Sequence, residues 1–183
     1  MPSNGIDFRP DASEANTIGE LPDVPALYAL YGGRGEHVFA AYVGITEDLR
    51  SRIEQHLIRR DSSVATGTSA VSLNPDYVTE VRWWTHPAFL ERAQLEAARL
   101  IAFDLIEPAL RGGSEPPDDA RKLYNEPPFV ARMMELIKDQ PAGHLVIRNL
   151  DDAWDRIDEQ QRRLAEIEQR LAELEAAAGS VNR

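Results

Sequence analysis

Cysteine is absent from the 183 residues. No disulfide and no thiolate metal site can form, and a reducing, cytoplasmic location is expected. Long hydrophobic runs are missing too. No stretch of about 18 apolar residues occurs, so no membrane-crossing helix is expected. The opening MPSNGIDFRPDASEAN lacks the basic-then-apolar pattern of a secretory leader. Positive charge is scarce: 20 Lys and Arg stand against 31 Asp and Glu, a net charge of −11 and a pI of about 4.8. Nucleic-acid binders normally carry a basic footprint, because neutralising phosphates dominates their affinity. The overall sign therefore argues against a nucleic-acid partner.

The distribution of charge changes that argument. Acid concentrates at the two ends, in Asp7, Asp11, Glu14, Glu20 and Asp23 and again from Asp151 to Glu175. Between Arg50 and Arg60 the balance reverses, with Arg50, Arg52, Arg59 and Arg60 against Glu54. Local fields, not the sum, steer a charged ligand. The 43% hydrophobic content is enough for a packed core, and the length suits one domain with an appendage.

Along the chain, residues 1–21 read as a lead-in and residues 22–148 as the domain, with an extension from about 111. Ala26–Tyr31 is an apolar, aromatic run of strand character, GGRGEH a hairpin loop, and Val38–Gly44 the returning strand. The glycine cluster is read as a turn, since no Lys-Ser or Lys-Thr follows it. Thr46 or Asp48 can cap the next helix, in which Leu49, Ile53 and Leu57 form an apolar stripe. Residues 61–75 read as a loop and VTEVRWW as a third strand. On that strand Trp83 and Trp84 must face opposite sides, one toward the core; packing is the reading expected, with base stacking by one ring as the alternative. Pro87 suits a helix first turn, so a helix is expected over Ala88–Ile106, stopped by Pro108. Two short helices follow, over Asp119–Leu123 and Pro128–Lys138, and His144–Arg148 reads as a fourth, edge strand. The four histidines show no metal-ligand spacing, and Gly112-Gly113 is a turn signal. The order predicts an α/β fold of the α+β kind: a small, mixed but mainly antiparallel three-stranded sheet flanked by helices.

Residues 149–183 carry the clearest pattern. Leu150, Ile157, Leu164, Leu171 and Ala178 recur every seven residues, with Ala153, Gln160, Ile167, Leu174 and Val181 three further on. This is a heptad seam. A helix of about 28 residues rises about 40 Å, which is long for docking on so small a domain. A coiled-coil homodimer through residues 150–178 is expected, with Gln160 setting register. The alternative is a helix docked on its own domain.

The stretch PALYALYGGRGEHVFAAYVGITEDLRSRIEQH resembles the GIY-YIG nuclease superfamily. Ala26-Leu27-Tyr28 after Pro25 stands for Gly-Ile-Tyr, and Tyr42-Val43-Gly44 for Tyr-Ile-Gly. Arg52 follows Tyr42 by ten residues and His56 lies one helical turn later, as in that family. The resemblance spans about Pro22 to Leu110. It implies Tyr28 as general base, Tyr42 and His56 as water-orienting or proton-relaying groups, and Arg52 on the scissile phosphate. It also implies Glu96, with Glu91 as the fallback, as the ligand of Mg²⁺ or Mn²⁺. Asn125 stands in for the family's asparagine, and Arg50 and Arg59 are further substrate-binding candidates. The implied activity is divalent-metal-dependent cleavage of DNA, with RNA left open. The alternative is a non-catalytic interaction or scaffold module of the same fold. The chemistry suits these residue types: a guanidinium fork matches phosphate, and a lone carboxylate with waters and phosphate oxygens suits Mg²⁺. A phenol of ordinary pKa about 10 acts as a base only through a cation or a relay.

Overall fold

The computed structural model describes residues 13–34, 37–59, 63–66, 69–72, 74–111, 114–147, 157 and 159–171. The chain divides into two compact units, Met1–Ile147 and Arg148–Arg183.

In the first unit β2 (Ala26–Arg34) and β3 (His37–Thr46) form an antiparallel hairpin, and β6 (Val78–Trp84) lies antiparallel on the other side of β2. These are the three strands expected, but the sheet does not stop there. β8 (Gly143–Val146) pairs with β6, β1 (Ser13–Ala15) runs parallel to β8, and β7 (Leu110–Arg111) runs parallel to β3. The sheet is therefore six-stranded and mixed, in the order β1-β8-β6-β2-β3-β7. Three expectations are corrected. The lead-in contributes a strand, β8 is covered by β1 and is no edge, and residues 61–75 contain a separate hairpin of β4 (Ser63–Thr66) and β5 (Ser69–Ser72). Backbone groups of short segments gain their partners from distant chain, and no local period announces such pairings.

Alternation along the strands loads both faces. Leu27, Ala29, Val43 and Trp84 pack on one side under α2 (Arg92–Ile106), α3 (Asp118–Tyr124) and α4 (Pro127–Lys138). Tyr28, Leu30, Tyr42, Val81 and Trp83 face the other side with α1 (Leu49–Leu57). Trp83 and Trp84 do point oppositely, yet both are buried, so neither ring offers a stacking surface. The helix expected from Ala88 begins later: Pro87–Leu90 is a 3-10 turn and α2 starts at Arg92. It ends at Ile106, and the capping Glu107 takes a left-handed φ of 50° immediately before Pro108.

α1 starts from Asp48, whose side chain accepts the Ser51 backbone N–H at 3.0 Å. Its buried residues are Leu49, Ile53 and His56, with Leu57 only half-buried. Positions i, i+4 and i+7 sit closer to one line than i, i+4 and i+8 on a helix of 3.6 residues per turn. The histidine therefore takes the inward place expected for the leucine.

In the second unit, residues 159–171 are helical and exposed. Ile157, Leu164, Ile167 and Leu171 are 41–60% exposed, so among the described residues these seam positions are uncovered. The remaining seam positions Leu150, Ala153, Leu174, Ala178 and Val181 lie outside the described residues, as do residues 1–12, Arg60 and the Gly112-Gly113 turn.

Candidate active site

Strand register assembles the first part of the site. Tyr28 of β2 pairs across with Gly44 of β3, and Tyr42 pairs with Leu30. Tyr28 and Tyr42 are thus diagonal neighbours on one face, with ring centroids 5.9 Å apart. Gly44 leaves room for the phenol. A Cβ at Gly44 would lie 2.6 Å from the Tyr28 hydroxyl and 2.7 Å from both the Tyr28 Cζ and the Tyr42 Cε1. Both rings are buried, so neither can yield cheaply. Gly44→Ala is expected to destabilise the fold by about 1–3 kcal/mol, the usual range for overpacking a core. Urea unfolding checks this, and an unchanged midpoint would contradict the packing.

α1 supplies the second part. His56 Nε2 lies 2.7 Å from the Tyr28 hydroxyl, and its ring centroid is 5.5 Å from that of Tyr42. Arg52 Nε donates to the same hydroxyl at 3.3 Å, and its Nη1 donates to Gln55 Oε1 at 2.9 Å. Arginine can only donate. The Tyr28 oxygen therefore accepts from Arg52, and the direction of its bond to His56 Nε2 is set by the imidazole tautomer. His56 Nδ1 is buried without a partner.

The electrostatics follow from burial. Desolvation first, and Tyr42 second, push the Tyr28 phenol well above its ordinary 10, while Arg52 works in the opposite direction. Desolvation, and then the Arg52 charge, depress His56 from 6.5 to about 4. At neutral pH the pair is a protonated phenol and a neutral imidazole.

Arg52 carries the cluster to the surface. It lines an open cleft of about 350 Å³, where the end of β3 meets the starts of α1 and α2. Thr46, Ser51 and Gln55 line it beside Arg52, and Arg92 forms part of its wall from α2. Two acids, Glu47 and Asp48, also face it, the latter engaged as the α1 cap.

Tyr28, Tyr42, Arg52 and His56 are therefore in one place, with the two phenols and the imidazole beneath the surface. Arg50, Arg59, Asn125 and Glu96 do not line the cleft. Arg50 donates to Leu21 O at 2.8 Å and pairs with Asp23 at 3.1 Å. Arg59 lies 3.8 Å from Glu54. Asn125 ends α3 and donates to Arg121 O at 2.7 Å. Glu91, the fallback, accepts from Gln94 at the start of α2. Glu96 is buried, with one oxygen 2.7 Å from Arg92 Nη2 and the other 2.7 Å from Arg99 Nη2. Both oxygens face guanidinium groups, and among the described residues no cluster of three or more His, Asp or Glu suits a cation. A divalent ion here would have to displace an arginine and sit beside the other. The arrangement around Glu96 does not fit Mg²⁺ or Mn²⁺.

Sequence reasoning passed over Gln55 and Arg92. Each carried a weak signal: Gln55 lies three residues after Arg52 on the same helix, and Arg92 four before Glu96. Among the described residues, no helix is long and apolar enough to cross a membrane. Comparison with protein-family models, with curated proteins and with solved structures gave no match.

Proposed function

We propose that this chain is an endonuclease of GIY-YIG type that hydrolyses phosphodiester bonds in DNA. One observation carries the reading: a hydrogen-bonded chain from Arg52 through the Tyr28 hydroxyl to His56 Nε2, with its guanidinium end at an open cleft. A phosphate entering the cleft engages Arg52 and draws it from the phenol, which lets water take its place. The Tyr28 oxygen takes a proton from that water while its own proton passes to His56 Nε2. The hydroxide oxygen forms the new bond to phosphorus, and the bond to the leaving sugar oxygen breaks. That oxygen takes a proton from solvent, and His56 returns its extra proton to solvent. Arg52 stabilises the charge that builds on the phosphoryl oxygens. No step is routed through an ion at Glu96. RNA offers the same bond, and comparison of DNA and RNA substrates separates the two.

A second reading is a non-catalytic module that binds nucleic acid or a partner. The complete burial of Tyr28 and His56, and a phenol held on its protonated side, favour it. A cleavage assay on duplex and branched DNA, in Mg²⁺, Mn²⁺ and EDTA, decides between the readings. Cutting is expected. Salt-dependent binding without cutting in any condition would leave the second reading, and neither would end both.

The uncovered heptad seam supports a dimer, which would bring two single-site nucleases to one duplex. Sedimentation of the full chain is expected to show a dimer, and a chain ending at residue 149 a monomer. A full chain that stays monomeric at high micromolar concentration would refute the seam as an interface.

A further inference from the structure

We infer that Arg92 is the second phosphate-holding group of the cleft, and that Glu96 is its positioning residue, not a metal ligand. This rests on the phosphate-directed reading of the site and adds to it a residue outside the quoted motifs. Three observations carry it.

First, Arg52 and Arg92 reach the same 350 Å³ cleft from different helices. Arg92 is held along one edge of its fork, whereas Arg52 is held at two donors on different sides. Tyr28 and Gln55 accept from the Nε and Nη1 of Arg52. Glu96 Oε1 accepts from the Nε and Nη2 of Arg92, at 3.1 and 2.7 Å. An arginine has five N–H donors in a rigid plane. Fixing one edge of Arg92 leaves its other donors oriented at little further entropic cost, as phosphate recognition requires.

Second, the charge is out of place for the helix alone. Arg92 is the first residue of α2, directly after the N-cap Glu91, and no acidic residue lies within the first turn. A helix N-terminus carries partial positive charge and disfavours a cation. Glu91 at the N-cap and Glu96, one turn further on, partly offset that repulsion. An oxyanion in the cleft would offset it again, from the other side.

Third, Glu96 is itself anchored. Arg99 Nη2 lies 2.7 Å from Oε2, and both side chains are within 5% of complete burial. Arg99 also donates to Ser114 O at 2.9 Å, which ties the cluster to the segment before α3. Arg92, by contrast, is 54% exposed. The three side chains together carry one net positive charge. A buried anion compensated in this way pairs poorly with a divalent ion but serves well as a fixed seat for an exposed guanidinium.

The test uses the full chain and a fluorescent DNA duplex, with affinity measured in EDTA over a range of salt. Arg92→Gln is expected to weaken binding about 5- to 50-fold and to lower the slope of log affinity against log salt by about one. Glu96→Gln, if folded by circular dichroism, is expected to lower the same slope, which a purely structural carboxylate would leave alone. Manganese titration should reveal no ion whose binding depends on Glu96. Arg92→Gln with wild-type affinity and slope, while Arg52→Gln weakens binding, would overturn the inference and leave the phosphate reading standing. A Mn²⁺ ion bound by the wild type and lost in Glu96→Gln would overturn it as well. Wild-type protein that shows no salt-dependent binding would instead remove the phosphate reading, and the inference with it.

Discussion

Tyr28→Phe is expected to lower the rate of duplex cleavage by about 10²–10⁴-fold, the range for losing a positioned general base. The substitution is clean in shape. Phenylalanine keeps the ring that packs on Tyr42, His56 and Gly44, and removes only the hydroxyl that joins Arg52 to His56. His56 Nε2 then loses its partner, in a ring whose Nδ1 already lacks one. A stability loss of about 1–3 kcal/mol should accompany the change, as for other buried groups left unpaired. Affinity for the same duplex should change far less than turnover, because Arg52 remains to hold phosphate. Arg52→Ala should damage both. Single-turnover cleavage measured beside equilibrium binding separates the two effects. A Tyr28→Phe protein that cuts at the wild-type rate would remove the phenol from the chemistry.

Mild acid is expected to destabilise the fold through His56. Its folded pKa of about 4 lies below the ordinary 6.5, because burial and the Arg52 charge both oppose the imidazolium. Between those values the unfolded chain binds a proton that the folded chain does not. Stability therefore rises with pH across this window and falls as pH drops from 6.5 towards 4. A shift of this size corresponds to about 3 kcal/mol in all. The groups facing the imidazole are the Tyr28 and Tyr42 rings and the Arg52 guanidinium, and none of these adds a negative charge to rescue the protonated form. Urea unfolding at several pH values between 7 and 4.5 measures the slope. His56→Gln removes the titrating group and should flatten the upper part of the window, where most carboxylates are still ionised. Equal slopes in wild type and variant would show that His56 does not control the acid response.

These two results probe a cluster that was partly legible in the primary structure. Tyr28 and Tyr42 could be placed on adjacent strands, and Arg52 and His56 on one helix, from turns and spacing alone. Their mutual hydrogen bonds could not. They depend on α1 presenting His56 inward where the apolar stripe had suggested Leu57, and on Gly44 leaving space for a phenol from the facing strand. Glu96 shows the limit more sharply. Its neighbours Arg92 and Arg99 stand at helical spacing, yet a surface carboxylate and a sealed one read identically along the chain. The packing of α2 against the sheet decided which it was.

By itself the order of residues determined the hairpin, the opposite facing of Trp83 and Trp84, the start of α1 with Leu49 and Ile53 inward, and the heptad period of the tail. Each depends on backbone geometry within a few residues. Only the tertiary structure decided that β1, β7 and β8 widen the sheet, that two aromatic rings and an imidazole are buried together, and that Arg52 and Arg92 share a cleft. The reason is physical. A local period records which side of an element turns inward, but it holds no record of what waits there. Hydrogen-bond partners, desolvation and the charge a side chain meets are set by segments tens of residues away.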